Sequence, residues 1–268
     1  MAVPYPIDAT WMANRFTLGE WIKTLSDFQQ MGGSIIWQRG ANLRSRTLSD
    51  IQQDPDFAAC VGIEQCTDKA AADVQALGAK IVTWFTYSNF EDYDSSVMLR
   101  CPLDLVIKSS RVYYRLVVPH DNYDPNWDCK ISKGMNVDVI FTHFGGVDPH
   151  ALLVTAATKL NMSVYLPQPS VPDTTTNWPA FFEFTRRVMD SYSTKYDSLS
   201  AYKGVYQNAE PCLCMWYEQL AKADTILCQM THAKGKQFVL SPYVDTNKDT
   251  YAAVGVEEHK TGFKIMAR

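Results

Sequence analysis

The stretch from Ile7 to Gln38, IDATWMANRFTLGEWIKTLSDFQQMGGSIIWQ, contains one complete β-α-β unit and decides the fold class. Its first six and last five residues are short apolar runs typical of buried strands. Between them, Thr17 and Glu20 have the spacing of a capping box that begins a helix, and Gly32 and Gly33 end it. A strand, a helix and a second strand in this order normally form a parallel crossover, so the stretch predicts an α/β fold.

The same alternation of strand and helix continues along most of the chain. It predicts a TIM-like (β/α) barrel forming a single domain over residues 1–268. The final helical segment, 256–268, has no strand after it, so we expect a barrel that is incomplete at its C-terminus. Between 95 and 121 the β-like runs are separated only by turns, which favours a hairpin-rich insertion. We expect this insertion to lie within a larger one, 54–136, at the rim of the barrel.

Composition excludes several classes of partner. The chain has 25 Lys and Arg against 29 Asp and Glu, a net charge of −4, and therefore lacks the basic excess of a nucleic-acid-binding surface. No apolar run is long enough to span a membrane, and no secretory leader is evident. We therefore expect a cytoplasmic protein as written, or a secreted one if a leader has been removed. Because the seven cysteines are an odd number, at least one is unpaired within the chain.

The carboxyl ends of the predicted strands are rich in aromatic, amide and acidic residues. Functional side chains of parallel α/β folds lie in the loops that follow these ends. Aromatic rings that stack on sugars, beside amides that bond hydroxyls, are typical of a carbohydrate cleft, although aromatic residues also fill ordinary cores. The candidate substrate-binding residues are Trp11, Asn14, Trp37, Gln38, Arg39, Trp84, Tyr87, His143, Gln168, Asn208 and Tyr243.

Glu210, which closes the run YKGVYQNAE, is the candidate general acid/base. A carboxylate held among apolar and aromatic groups is poorly solvated, and its raised pKa would let it protonate a leaving oxygen near neutral pH. The alternative is a structural role, because Glu210 and Pro211 precede a helical segment and negative charge is favoured at a helix N-terminus.

Three stretches resemble a family of glycoside-hydrolase-like (β/α)8 barrels. They are FTLGEWIKTLSDFQQMGGSIIWQRG (16–40), DPHALLVTAATKLNMSVYLPQP (148–169), and YKGVYQNAEPCLCMWYEQLAKADTILC (202–228) with KQFVLSPYVD (236–245). Together they cover about half of the chain. In related retaining enzymes an Asn stands close to the acid/base Glu, whereas here Ala209 separates Asn208 from Glu210. The resemblance also implies a second carboxylate from a late strand, and Asp245 is the available candidate.

Other chemistries have weak signals. His143, Asp148 and His150 lie near Gly146 and Pro149, which break the helical register that would align two imidazoles on a metal, so we expect no metal site. No glycine-rich phosphate loop and no G-x-S-x-G motif is present, so we expect neither a nucleotide cofactor nor a serine hydrolase. No other cofactor is indicated.

Three functional interpretations remain. The first is a glycosidase that acts on an oligosaccharide through Glu210. The second is a non-catalytic carbohydrate-binding or scaffold protein built on a degenerate or truncated barrel. The third is an incomplete chain whose unpaired sheet edges would associate with another chain. The sequence carries no signal for a particular oligomeric state.

Overall fold

The computed structural model describes residues 7–61, 66–144, 146–170, 178–207 and 217–240. The strands are β1 (Ala9–Met12), β2 (Ile35–Gln38), β3 (Arg44–Arg46), β4 (Lys80–Ser88), β5 (Leu105–Lys108), β6 (Val112–Pro119), β7 (Asn136–Phe144), β8 (Ser163–Gln168), β9 (Tyr202–Gln207) and β10 (Gln237–Val239). The helices are α1 (Leu18–Gln30), α2 (Leu48–Gln53), α3 (Ala58–Val61), α4 (Thr67–Ala76), α5 (Ser95–Met98), α6 (Pro149–Lys159), α7 (Trp178–Tyr196) and α8 (Tyr217–His232).

The first sheet has five strands in the order β1-β2-β8-β9-β10, and every neighbouring pair is parallel. Its register places Trp11 beside Trp37 and Gln168 beside Gln207. One face of this sheet packs on α1, α6, α7 and α8 through a single core of buried apolar side chains. This parallel sheet with helices between its strands is the architecture that the β-α-β pattern predicts.

The second sheet is mixed, with the strand order β3-β4-β7-β6-β5. Only β4 and β7 are parallel, and the other three pairs are antiparallel. The segment 95–121 contributes the short helix α5 and the antiparallel pair β5 and β6. One face of this sheet shares the core of the first sheet, and the other packs on α2, α3 and α4 through a second apolar cluster.

The prediction of a TIM-like barrel is wrong. In a barrel, β4 and β7 would lie between β2 and β8, but β2 pairs directly with β8 and the two other strands belong to the second sheet. Among the described strands neither sheet closes on itself. The physical reason is that β7 pairs along its whole free edge with the antiparallel β6, so that edge cannot pair with β8. The alternation of strands and helices specifies parallel crossovers, but it does not specify how the sheet closes.

Helix α1 forms as its sequence predicts. The Thr17 hydroxyl accepts a hydrogen bond from the Glu20 N–H at 3.2 Å, and the Glu20 carboxylate accepts one from the Thr17 N–H at 3.1 Å. The buried indole of Trp21 donates to the carbonyl oxygen of Pro149 at 3.1 Å, which fixes α1 against the start of α6. At the end of α1, Gly33 has no room for a side chain, because an added Cβ would lie 2.2 Å from the ring of Phe28.

Candidate functional site

The carboxyl ends of the parallel strands line three adjoining cavities, which we name the His150, His143 and Arg46 cavities. Their volumes are about 290, 390 and 350 Å³, respectively. Ser88, the last residue of β4, lines all three, so the cavities meet around this residue, and we call the combined depression the strand-end cleft. The cleft lies where the topology of a parallel sheet places functional loops.

The His150 cavity is built by segments that follow β1, β2 and β4 and by the start of α6. Asn14, Arg39, Asn89, Glu91 and His150 supply its polar wall. Asn14 is held by Gln38, whose amide nitrogen donates to the Asn14 side-chain oxygen. This contact leaves the Asn14 amide N–H groups as donors toward a ligand.

Glu91 is the most completely bonded acid of the cleft. Its carboxylate accepts hydrogen bonds from Asn89 at 2.7 Å, from Tyr192 at 2.7 Å and from Tyr93. The Nδ1 atom of His150 also contacts this carboxylate. Glu91 and His150 are 3% and 2% exposed, so the pair is buried, and the Glu91 carboxylate is surrounded by the donors that a buried polar group requires.

His150 owes its position to the N-terminus of α6. Asp148 caps this helix by accepting from the backbone N–H groups of His150 at 2.9 Å and Ala151 at 3.1 Å. Burial disfavours the charge of this carboxylate, but the ammonium of Lys195 at 2.6 Å, the neighbouring His150 and the backbone donor of Ala151 together outweigh it and keep the pKa of Asp148 below its ordinary value. Asp148 is therefore the N-cap of α6, with Pro149 in the first turn of the helix.

The His143 cavity brings together a carboxylate, Asp56, and an imidazole, His143. Asp56 accepts hydrogen bonds from Arg111 at 2.8 Å and from Ser88 at 2.9 Å, and the bond from Arg111 is the main reason that the pKa of Asp56 lies below its ordinary value. His143 Nε2 lies 3.7 Å from an oxygen of Asp56. Burial lowers the pKa of the His143 imidazole, and neither ring nitrogen has a hydrogen-bond partner among the described residues. A neutral imidazole of this kind can donate to one hydroxyl and accept from another.

Four of the nine described residues that line the Arg46 cavity are charged. Arg46 donates to Thr86 at 3.2 Å and forms an ion pair with Asp54 at 3.3 Å. Arg44 also lines this cavity, and its side chain is exposed.

Three buried glutamines stand at the ends of neighbouring strands in the first sheet. Gln38, Gln168 and Gln207 end β2, β8 and β9 and are at most 1% exposed. Several of their amide atoms, including both of Gln168, lack a hydrogen-bond partner among the described residues. Gln207 donates to Asp224 at 2.7 Å, and burial raises the pKa of Asp224 to about 6 despite that bond. Buried amides without partners are uncommon in folded proteins, and none of these three glutamines is among the residues that line the three cavities.

The structure brings only some of the predicted residues to the cleft. Asn14, Arg39 and His143 line its cavities. Gln38 supports Asn14 from beneath, and Gln168 lies at the end of β8.

The predicted aromatic residues lie elsewhere. Trp11 and Trp37 contact each other with ring centroids 5.2 Å apart, on the face of the first sheet opposite its helices. Trp84 stacks on Phe141 at 6.1 Å, and Tyr87 is buried against Phe184 at 5.0 Å. Because side chains alternate along β4, Trp84 and Tyr87 point to opposite faces of that sheet. Asn208, Glu210, Tyr243 and Asp245 lie outside the described residues, so their roles stay predictions.

The sequence analysis did not select Asp56, Ser88, Glu91 or Arg111, and it considered His150 only for a metal. Glu91 lies three residues after the end of β4. It could have been found by taking the third residue after each strand as a candidate, in addition to the first two. Asp56 and Arg111 lie 55 residues apart in the chain and meet only through the fold. Among the described residues, no cluster of three or more His, Cys, Asp or Glu could hold a metal.

One protein family matches part of the chain. A family described as "Domain of unknown function (DUF8405)" matches residues 46–144, just over a third of the sequence. Comparison with curated proteins gives no match, and comparison with solved structures gives none either. The matched segment extends from the end of β3 to the end of β7, so it contains Asp56, Ser88, Glu91 and Arg111 but not the strands of the parallel sheet.

Proposed function

We propose that this chain binds an oligosaccharide in the strand-end cleft. The observation that carries the proposal is the continuity of the three cavities around Ser88. A ligand with several polar units can place a unit in each of the three adjoining cavities. The polar walls of the cleft provide both donors and acceptors for hydroxyl groups, including the amide of Asn14 and the exposed hydroxyls of Ser109 and Ser110.

An exposed aromatic pair adds to the support for a sugar ligand. Phe90 is 45% exposed and lines both the His150 and the His143 cavities. Its ring contacts Phe16, which is 44% exposed, at 5.0 Å. An exposed aromatic face beside amide and imidazole groups matches the two sides of a pyranose ring, one apolar and one hydroxylated.

The test is calorimetric binding to cello-, xylo-, manno-, chito-, galacturono- and carrageenan oligosaccharides. We expect at least one series to bind with an affinity that rises with chain length. Phe90→Ala should weaken that binding about tenfold, the loss of about 1.4 kcal/mol of ring stacking. Leu77→Ala is the matched control, because Leu77 is similarly exposed but lies before the opposite end of β4. Failure of every series to bind, or wild-type affinity in Phe90→Ala, contradicts the proposal.

A further inference from the structure

The side chains that line the strand-end cleft carry more positive than negative charge. Its walls carry four arginines, namely Arg39, Arg44, Arg46 and Arg111, and three acids, namely Asp54, Asp56 and Glu91. The whole chain has the opposite excess, with a net charge of −4. The positive excess is therefore a local property of the cleft.

Each acid of the cleft already has a partner on the protein. Asp54 pairs with Arg46 at 3.3 Å, and Asp56 pairs with Arg111 at 2.8 Å. Glu91 contacts His150 and accepts three further hydrogen bonds from neutral side chains. None of these acids contacts Arg39 or Arg44.

Arg39 and Arg44 are the two arginines of the cleft that pair with none of its described acids, and we call them the surplus arginines. Both are exposed, they flank the short loop from Gly40 to Leu43, and neither forms an ion pair with a described residue. Arg39 lines the His150 cavity and Arg44 lines the Arg46 cavity, and Gly40 and Ala41 line both. The two guanidinium groups therefore border neighbouring parts of one cleft.

A third guanidinium lies at the same end of the cleft. Arg15 donates to the backbone carbonyl oxygens of Ala13 at 3.4 Å and Asn14 at 3.2 Å, and both of these residues line the His150 cavity. Backbone carbonyls do not neutralise a full positive charge, so Arg15 adds to the positive field over the cavity.

We propose that the oligosaccharide bound in the cleft is acidic and that Arg39 and Arg44 recognise its anionic groups, carboxylate or sulfate. This inference rests on the proposed function and names the class of glycan. Guanidinium groups bind such oxyanions with two parallel charge-assisted hydrogen bonds. Two surplus arginines on neighbouring cavities match a chain that repeats an anionic group from one sugar unit to the next.

The experiment compares ligands that differ only in charge. Oligogalacturonates and their methyl esters share one backbone, and carrageenan oligosaccharides provide the sulfate arm. We expect the free acid to bind at least tenfold more tightly than the ester, with an affinity that falls as the salt concentration is raised. Binding of the sulfated series in place of the carboxylate series would assign the anionic group as sulfate.

Substitutions of Arg39 and Arg44 test whether these residues recognise the anionic groups. Arg39→Met and Arg44→Met should each weaken binding of the preferred anionic series about tenfold and weaken binding of the methyl ester by a clearly smaller factor. Arg39→Lys keeps the charge but not the paired donors, so it should recover only part of the loss. The control is Lys80→Met, because this lysine is exposed at the opposite end of β4.

The two proposals fail in different ways. Equal binding of the acid and its ester, or wild-type affinity in both arginine variants, overturns the acidic-glycan inference while the proposed function stands. Absence of binding to sugars of either kind overturns the proposed function itself.

Discussion

The hydroxyl group of Tyr192 lies 2.7 Å from the carboxylate of Glu91, deep in the protein interior. The same hydroxyl lies 2.9 Å from the carbonyl oxygen of Pro167 in β8. Burial raises the pKa of the Tyr192 phenol well above its ordinary value, so the hydroxyl stays protonated and donates. Tyr192 of α7 thus links Glu91, which follows a strand of the second sheet, to Pro167, which lies in a strand of the first sheet.

Tyr192→Phe removes this bridge. We expect the free energy of unfolding to fall by about 1–3 kcal/mol, because Glu91 loses a donor while it remains buried. Urea denaturation followed by circular dichroism measures the change. Tyr196→Phe is the comparison, because its hydroxyl makes one longer bond, 3.3 Å, to Asp148, which Lys195 also neutralises. An equal loss of unfolding free energy in Tyr192→Phe and Tyr196→Phe would contradict the expectation that the Tyr192 bond to Glu91 is the more stabilising one.

Asp138 gives the protein a stability that depends on pH. It is fully buried on β7, where it accepts from the Thr83 N–H at 2.9 Å and contacts the His120 ring at 2.9 Å. Burial raises the pKa of Asp138 from 3.8 to about 6, although the bonds from His120 and Thr83 oppose the rise. Between these two values the folded state holds a proton that the unfolded state has lost, so the free energy of unfolding falls as pH rises. The fall amounts to about 3 kcal/mol at most.

Asp138→Asn tests this dependence, since an amide cannot ionise but still accepts from Thr83. The free energy of unfolding of the variant minus that of the wild type should increase as pH rises from 4 to 7. Asp27→Asn, at an exposed ion pair with Lys23, should show no comparable trend. A constant difference between Asp138→Asn and wild type across this range would contradict the expectation.

Glu210 remains the candidate acid for cleavage of a glycosidic bond. If the chain hydrolyses the oligosaccharide that it binds, Glu210→Gln should lower kcat by orders of magnitude with little change in affinity. Asp245→Asn tests the second predicted carboxylate in the same assay. An unchanged rate in Glu210→Gln removes this residue from the mechanism, and binding without turnover by the wild-type chain supports the non-catalytic alternative.

Much of the local structure could be predicted from the sequence. The capping box of α1, the Asp148 cap of α6 and the long helix α7 follow from residues that are close in the chain. The pairing of β2 with β8 could not be predicted in this way, because it depends on which edge β6 occupies beside β7. Strands compete with one another for pairing partners, and hydrophobic periodicity does not indicate which pairing forms.

The residues of the candidate site could likewise be predicted only in part. The strand-end rule placed Asn14, Arg39 and His143 at the cleft. It could not distinguish them from Trp84 and Tyr87, because a strand directs successive side chains to opposite faces and only the packing decides which face meets the cleft. Asp56 reaches the cleft from the connection between α2 and α3, where no strand ends.

Two disulfides, Cys60–Cys66 and Cys101–Cys129, both lie within the segment that the family model matches. Such bonds persist in oxidising compartments and are rare where glutathione keeps thiols reduced. The host chosen for production therefore affects the outcome of every experiment above. Secretion through the bacterial periplasm or a eukaryotic endoplasmic reticulum would supply material with both bonds formed, whereas cytosolic expression would yield a reduced chain that is less suitable for measuring affinity or stability.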